Sequence, residues 1–264
     1  MRFPSGPEFV RWLFGGWSVI IFGFLYLPIL LLAVYSFNDS KLNIRWKGFT
    51  LKWFDVLFHN KVLLEAFWNS VIIAIVVTAL STFLGTVGAW LIYRYRFPMP
   101  RLLGLLIFIP MVIPEVLMGT SLRIAFIAAH FPLGYLSVII SHTTFCFPFV
   151  LVAVQARLDS LDPSLEEAAM DLGATPVGAF VRVIVPYLLP AIASGALMSF
   201  TLSLDEYLVT KFTYSPQAQT LPILVYGMVK KGLDPQLNAL STLFILGTGI
   251  LVLVSELLKQ KAAK

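Results

Sequence analysis

Long apolar runs dominate the chain, and its charged residues lie mainly between them. Residues 13–37 form a run of 25 residues without a charge, and residues 66–93 form one of 28. Because a helix needs about 20 apolar residues to cross a bilayer, each run predicts a spanning helix. The same criterion predicts six spans, at about residues 13–37, 66–93, 102–129, 135–156, 187–212 and 237–255. The runs do not alternate between apolar and polar positions, which argues against a transmembrane β-barrel.

The composition supports this interpretation. Of the 264 residues, 58% are hydrophobic and 12% are charged, whereas an ordinary soluble domain carries about 25% charged residues. This excludes a soluble globular enzyme, a disordered chain and a repeat solenoid. The first run is too long for the apolar core of a signal peptide, and no cleavage site of small residues follows it. We therefore expect an all-α polytopic membrane protein in which residues 1–264 form a single transmembrane domain.

The distribution of lysine and arginine sets the expected orientation. With the N-terminus in the cytoplasm, the inner segments carry ten basic residues and the outer segments nine. The short loop 94–101 and the C-terminal tail favour this orientation, since cytoplasmic loops are enriched in basic residues. The basic loop 38–65 opposes it. An even number of spans places both termini on the same side of the membrane. With the N-terminus in the cytoplasm, the C-terminus is therefore expected there too.

The most informative segment that is not a span covers residues 157–186. Asp162 and Thr175 are good residues to begin a helix, and Gly173 is a natural residue to end one. We therefore predict two short helices at an angle, with Gly173 at the elbow and Pro186 ending the second. The segment has a net charge of −3, which disfavours binding to anionic lipid. It is either a helical hairpin that rests on the bilayer or a docking site for a soluble partner.

Segment 157–186 also resembles the EAA signature of ABC-importer permeases. The matching residues are Glu167-Ala168-Ala169, Gly173 four positions later, and Val183-Ile184-Val185-Pro186, in which two valines replace the isoleucine and leucine of the family pattern. In that family the segment is the coupling helix, which inserts into a groove on a cytoplasmic ATPase. The resemblance therefore implies that five residues couple this chain to an ATPase: Glu167, Ala168, Ala169, Gly173 and Pro186.

Further short segments look like the spermidine/putrescine permeases, and more like the second, shorter subunit of that importer. They lie at residues 35–38, 93–97, 142–146, 199–205 and 238–242. This resemblance implies a type I ABC importer permease of the bacterial inner membrane, paired with a second permease as a heterodimer. It also implies two cytoplasmic ATPase subunits, which would bind the ATP and Mg²⁺, and a periplasmic or extracellular polyamine-binding protein. No cofactor is expected in this chain.

Three carboxylates lie within the predicted spans. A carboxylate near the bilayer centre costs about 2.5–3.5 kcal/mol, so it usually faces a cavity or a partner. Glu115 follows Pro110 and Pro114, whose missing N–H groups should kink the helix and free two carbonyls. Asp205 and Glu206 lie towards the outer end of the fifth span.

A polar stripe accompanies these acids, because Ser199, Ser203, Glu206 and Thr210 recur at helical spacing. Our hypothesis is that the stripe, with Glu115 and Asp205, lines the path of a cation. The alternative is that Asp205 and Glu206 lie in the outer headgroup region and end a helix.

Several kinds of chemistry have no matching motif. The sequence has no phosphate-binding Gly-x-x-x-x-Gly-Lys-Ser/Thr loop, no His-Glu-x-x-His and no cysteine cluster. We therefore predict no catalytic residue, no metal site and no nucleic-acid partner. The alternatives to a polyamine permease are an ABC permease for another small solute, and a stand-alone channel or ion-coupled transporter that uses the same carboxylates for protons.

Overall fold

The structure is a computed structural model, and it describes residues 7–41, 45–162, 164–232 and 234–262. This part of the chain is helical, with one antiparallel bridge between Asn38 and Phe49 and no β-strand. The all-α prediction is thus confirmed. In chain order the α-helices are α1 (Pro7–Tyr35), α2 (Lys52–His59), α3 (Lys61–Arg94), α4 (Pro100–Val112), α5 (Glu115–Ala128), α6 (Tyr135–Leu158), α7 (Ser164–Asp171), α8 (Pro176–Ala179), α9 (Val185–Asp205), α10 (Leu208–Thr213), α11 (Leu221–Lys231) and α12 (Pro235–Ala262).

Most predicted spans correspond to long helices. Among the described residues, four helical segments are long and apolar enough to cross a membrane: Val10–Tyr35, Lys61–Arg94, Tyr135–Leu158 and Pro176–Asp205. Helices α4 and α5 would together make a fifth crossing. The predicted sixth span, residues 237–255, lies within helix α12. The total of six crossings remains a prediction.

The predicted third span is broken rather than kinked. Helices α4 and α5 meet at 108°, with Ile113 and Pro114 between them. A proline disfavours helical geometry in the residue before it, and Ile113 accordingly has an extended ψ of 132°. Pro110 lies inside α4 without ending it. The sharp break is therefore at Pro114, immediately before Glu115.

The prediction that Pro186 ends a short second helix is wrong. The chain is helical from Pro176 to Asp205, through a π-helical turn at Phe180–Ile184. In this turn the Val185 N–H donates to the carbonyl of Phe180, five residues back. Pro186 follows this turn and lies in the first turn of α9. The second half of segment 157–186 is thus the start of the fifth span.

The described residues form two compact units, one of which is Leu63–Leu224. Helix α6 is the core of this unit, since every fourth residue along it is fully buried: Val138, His142, Cys146, Val150, Val154 and Leu158. Such a row is one ridge of a helix, and neighbouring helices pack against it. Gly85 of α3 and Gly195 of α9 both come close to Val150, because the absence of a side chain lets the helices approach.

The other unit takes the described residues up to Val62 and those from Val225 onward. The buried amide side chain of Asn38 holds the loop after α1, since it donates to the carbonyl of Arg45 and accepts from the amide of Lys47. The Trp53 indole of α2 donates to the Asn38 carbonyl at 2.8 Å. Large apolar side chains are exposed along α1, as expected of a helix that faces lipid.

Candidate functional site: an EAA segment and an acidic cavity

The EAA segment, defined here as residues 157–186, contains a short capped helix, α7. The carboxylate of Asp162 accepts a hydrogen bond from the Ser164 amide at 3.0 Å, as predicted for a residue that starts a helix. This hydrogen bond holds the pKa of the exposed Asp162 carboxyl below its usual range. Thr175 caps α8 in the same way, since its hydroxyl accepts from the Gly178 amide at 3.1 Å.

The elbow at Gly173 is also confirmed. Gly173 has a φ of +88°, a backbone conformation that favours glycine. Its amide donates to the carbonyl of Met170 at 2.9 Å, and the next amide, of Ala174, donates to that of Ala169 at 3.1 Å. These two bonds form a Schellman motif, which satisfies carbonyls at the end of α7. The chain turns there towards Thr175 and α8.

Helix α7 has an exposed side and a buried side. Glu167 and Ala168 are exposed, and Leu172, next to the elbow, is 90% exposed. Glu166 is buried, and its Oε1 lies 2.8 Å from Nη1 of Arg94, the last residue of α3. Of these two adjacent glutamates in one helical turn, only Glu167 is therefore available to another protein. Pro186 is exposed, in the first turn of α9.

A second feature is an acidic cavity of about 300 Å³, where helices α4, α5, α6 and α9 come together. Glu115 and Glu206, two residues of the hypothesised cation path, both line it. The cavity is lined by Pro110, Met111, Ile113, Pro114, Glu115, Met118, Phe145, Phe149, Leu202 and Glu206. Phenyl rings and carboxylates are groups that bind ammonium ions in proteins.

Each carboxylate of the acidic cavity lies at a helix break. Glu115 is the first residue of α5, directly after the 108° bend. Glu206 separates α9 from α10, and its Oε1 accepts a hydrogen bond from the Val209 amide at 2.7 Å. Both acids thus lie at the N-terminus of a helix, where the helix dipole favours a negative charge. Broken helices of this kind surround the solute sites of many transporters.

The rest of the polar stripe packs against α6. Ser199, Ser203 and Thr210 are buried, and none of them lines the acidic cavity. Asp205 is exposed and also lies outside the cavity lining. The structure therefore places Glu115 and Glu206 on the wall of one cavity, whereas Asp205 is not among its lining residues. A role in the path remains a prediction for all six residues.

The side chain of His142 connects the parts of the polar stripe that lie on either side of the helix break at Glu206. Its Nδ1 lies 2.9 Å from the Ser203 hydroxyl of α9, and its Nε2 lies 2.8 Å from the Thr210 hydroxyl of α10. Because the Thr210 hydroxyl already donates to the Glu206 carbonyl, it accepts from Nε2–H. Nδ1 then accepts from Ser203, so the neutral ring satisfies both hydroxyls.

Four residues with evident roles were not predicted as site residues: Arg94, His142, Phe145 and Phe149. The two phenylalanines are four residues apart on α6, a spacing that places them on one face of the helix. That signal was present in the sequence. Nothing in the sequence identified Arg94 as the partner of Glu166, since the two are on different helices.

The comparisons with known proteins agree with this architecture. The family of binding-protein-dependent transport system inner membrane components matches residues 81–260. The spermidine/putrescine transport system permease protein PotC of Escherichia coli K12 is 39% identical over 254 residues, which is 96% of each chain. The putrescine transport system permease protein PotI of the same strain is 39% identical over 259 residues, or 94% of this chain and 92% of that one.

Solved structures support the fold. A bacterial ABC transporter that imports the acidic polysaccharide alginate superposes with a TM-score of 0.72 at 15% identity, over 98% of this chain and 99% of that one. The alginate transporter in complex with its pentasaccharide-bound periplasmic protein gives 0.71 at 17% identity, over 92% of each chain. This chain belongs to the family of binding-protein-dependent transport system inner membrane components. It is a multi-pass inner-membrane transport permease.

Proposed function

We propose that this chain is one of two permease subunits of an ABC importer and forms half of the path of a polyamine, spermidine or putrescine. The observation that carries the proposal is the acidic cavity, in which two carboxylates and two phenyl rings surround a space suited to an ammonium group. The names of the two Escherichia coli relatives, each 39% identical over nearly the whole chain, support the same class of solute.

In this proposal the EAA segment docks on an ATPase. The exposed side of α7 offers a carboxylate at Glu167, a small residue at Ala168 and an apolar tip at Leu172. The segment and both termini are cytoplasmic, and the ATPase subunits, two per transporter, bind ATP and Mg²⁺.

Glu167, Ala168, Ala169, Gly173 and Pro186 are the coupling residues that the EAA resemblance carries over. Gly173 contributes the turn that separates α7 from α8, and Ala169 contributes a carbonyl to that turn. Pro186 lies beyond the π turn, at the start of the fifth span. Movement of α8 would therefore reach α9 through a continuous stretch of helix, Pro176–Asp205.

The solute arrives from a periplasmic or extracellular binding protein and passes between this chain and the second permease. The exposed Asp205 attracts the cation near the entrance, and Glu115 and Glu206 replace part of its hydration in the acidic cavity. A hydrogen bond to a charged group contributes about 1.5–3 kcal/mol. If it forms at the barrier, its loss slows transport by about tenfold to a hundredfold.

The test is uptake of radiolabelled spermidine and putrescine by the complete transporter at matched protein levels. Glu115→Gln, Glu206→Gln and Asp205→Asn each remove a charge and keep the size of the side chain. We expect each to lower uptake by about tenfold to a hundredfold with ATPase assembly unchanged. Glu65→Gln, an exposed acid near the start of α3, is the matched control and should transport normally.

If all three variants transport at the parental rate, the acidic cavity does not carry the solute and the proposal fails. Normal uptake of a different solute, lost in the same variants, would show an ABC permease for that solute instead. Purification with and without a candidate ATPase tests the remaining alternative. A stand-alone channel or ion-coupled transporter would move solute in liposomes without ATPase subunits.

A further inference from the structure

The buried side of helix α7 makes a specific contact that the proposed docking does not use. Nη1 of Arg94 lies 2.8 Å from Oε1 of Glu166, and Nη2 of the same arginine lies 3.6 Å from the sulfur of Met170. The Glu166 side chain is only 7% exposed and that of Arg94 is 25% exposed. The end of α3 therefore contacts two successive turns of α7 through one guanidinium.

A second contact joins the same part of α3 to the other half of the EAA segment. Trp90, one turn before Arg94, stacks on Phe180 with ring centroids 4.3 Å apart and planes at 28°. Phe180 begins the π turn that leads into α9. Both rings belong to a buried cluster that also includes Leu158 and Leu161. The last turn of α3 thus contacts the EAA segment on both sides of the Gly173 elbow.

Helix α3 runs from these contacts at its C-terminal end back towards the acidic cavity. Its residues Ile73 and Val77 belong to a second buried cluster, together with Met118 and Phe145. Met118 and Phe145 also line the acidic cavity. An unbroken 34-residue helix therefore connects the EAA segment with the walls of the cavity, as a series of packed contacts.

We propose that Arg94 is a positioning residue that couples α7 to α3 through its ion pair with Glu166, so that movement of the EAA segment reaches the acidic cavity along α3. Separating a largely buried carboxylate from its charged partner is costly, so we expect α7 and the end of α3 to move together. Arginine suits this role because its planar guanidinium can hold a carboxylate and pack against neighbouring side chains at once. The inference rests on the proposed docking of α7 on an ATPase.

The experiment uses the complete transporter in proteoliposomes and measures three quantities for each variant. These are spermidine uptake, ATP hydrolysis stimulated by the binding protein, and co-purification of the ATPase subunits. Arg94→Glu and Glu166→Arg each place two like charges together, and the double variant restores an ion pair with the charges exchanged. Glu166→Gln is a milder change that keeps the side-chain shape. Arg96→Ala, an exposed arginine two residues further on, is the control.

We expect each single charge reversal to lower the uptake per ATP hydrolysed by about tenfold or more while the ATPase still co-purifies. The exchanged pair should restore most of this ratio, Glu166→Gln should give an intermediate value, and Arg96→Ala should match the parent. Restoration by the exchange is the decisive result, because a purely steric role of either residue would not produce it.

Three results would overturn the inference: parental coupling in both single reversals, a defect that the exchanged pair does not correct, or loss of ATPase co-purification in the reversals. The proposed docking is tested separately by Gly173→Val. If that variant loses the ATPase while the Arg94 variants behave as the parent, the docking proposal stands and the role of Arg94 is refuted. If Gly173→Val also behaves as the parent, the docking proposal itself fails.

Discussion

The contact between α3 and α6 depends on a glycine whose replacement has a calculable effect. A Cβ atom added at Gly85 would lie 2.7 Å from the Cβ of Val150 and 2.9 Å from the backbone nitrogen of Leu151. Unstrained carbon contacts are about 3.5–4.0 Å long. Neither neighbour can rotate away, since one is backbone and the other is bonded directly to it. Gly85→Ala should therefore force the two helices apart by roughly 1 Å.

The same helix contains a matched control. A Cβ added at Gly88, three residues further along α3, would meet only Cδ1 of Leu151, at 3.2 Å. That atom is the end of a flexible side chain and can move aside. Both changes replace a glycine inside a helix by alanine, which stabilises the helix by about 1 kcal/mol in each case. The difference between the variants therefore reports packing alone, and overpacking of this kind costs about 1–3 kcal/mol.

The assay uses the chain's only cysteine. Cys146 is buried in α6, beside Ile73 and Val77 of α3, so a fluorogenic thiol reagent labels it only after the helices separate. On heating in detergent, we expect Gly85→Ala to expose the thiol at a midpoint roughly 2–10 °C below that of Gly88→Ala. Equal midpoints, or a lower midpoint for Gly88→Ala, would refute the argument that Val150 and Leu151 limit the approach of these helices.

Two further predictions concern the turn at Gly173 and the orientation of the chain in the membrane. At Gly173 an added Cβ meets nothing within 4 Å, so a substitution acts only through the φ of +88°. Gly173→Val should lose about 1–2 kcal/mol of stability and most of the ATPase co-purification, whereas Gly173→Asn should retain the co-purification. Equal loss of co-purification in both variants would contradict the backbone argument. In a Cys146→Ala background, a cysteine at Lys47 should react with an impermeant maleimide in intact cells and one at Ser160 only after permeabilisation. The opposite pattern would invert the proposed orientation.

The sequence determined those features that depend on neighbouring residues. Uninterrupted apolar runs predicted the long helices, because a helix in lipid must satisfy its backbone internally and present apolar side chains. The starts at Asp162 and Thr175 and the turn at Gly173 were likewise predictable, since a cap or a positive φ involves atoms only a few residues apart. The break at Pro114 was foreseen as a kink, but its angle was not.

The tertiary structure decided which side chains share a space. Helical spacing placed Ser199, Ser203 and Thr210 on one stripe, but only the position of α6 shows that the stripe is buried. The same holds for adjacent acids: Glu206 lines the acidic cavity while Asp205 is exposed.

The ion pair of Arg94 with Glu166 could not be predicted from the sequence for the same reason. A local pattern specifies the face on which a residue lies, whereas the helix that covers that face is chosen by packing between segments far apart in the chain. Glu166 and Glu167 have nearly identical sequence surroundings, and the end of α3 alone makes one of them a buried partner and leaves the other exposed.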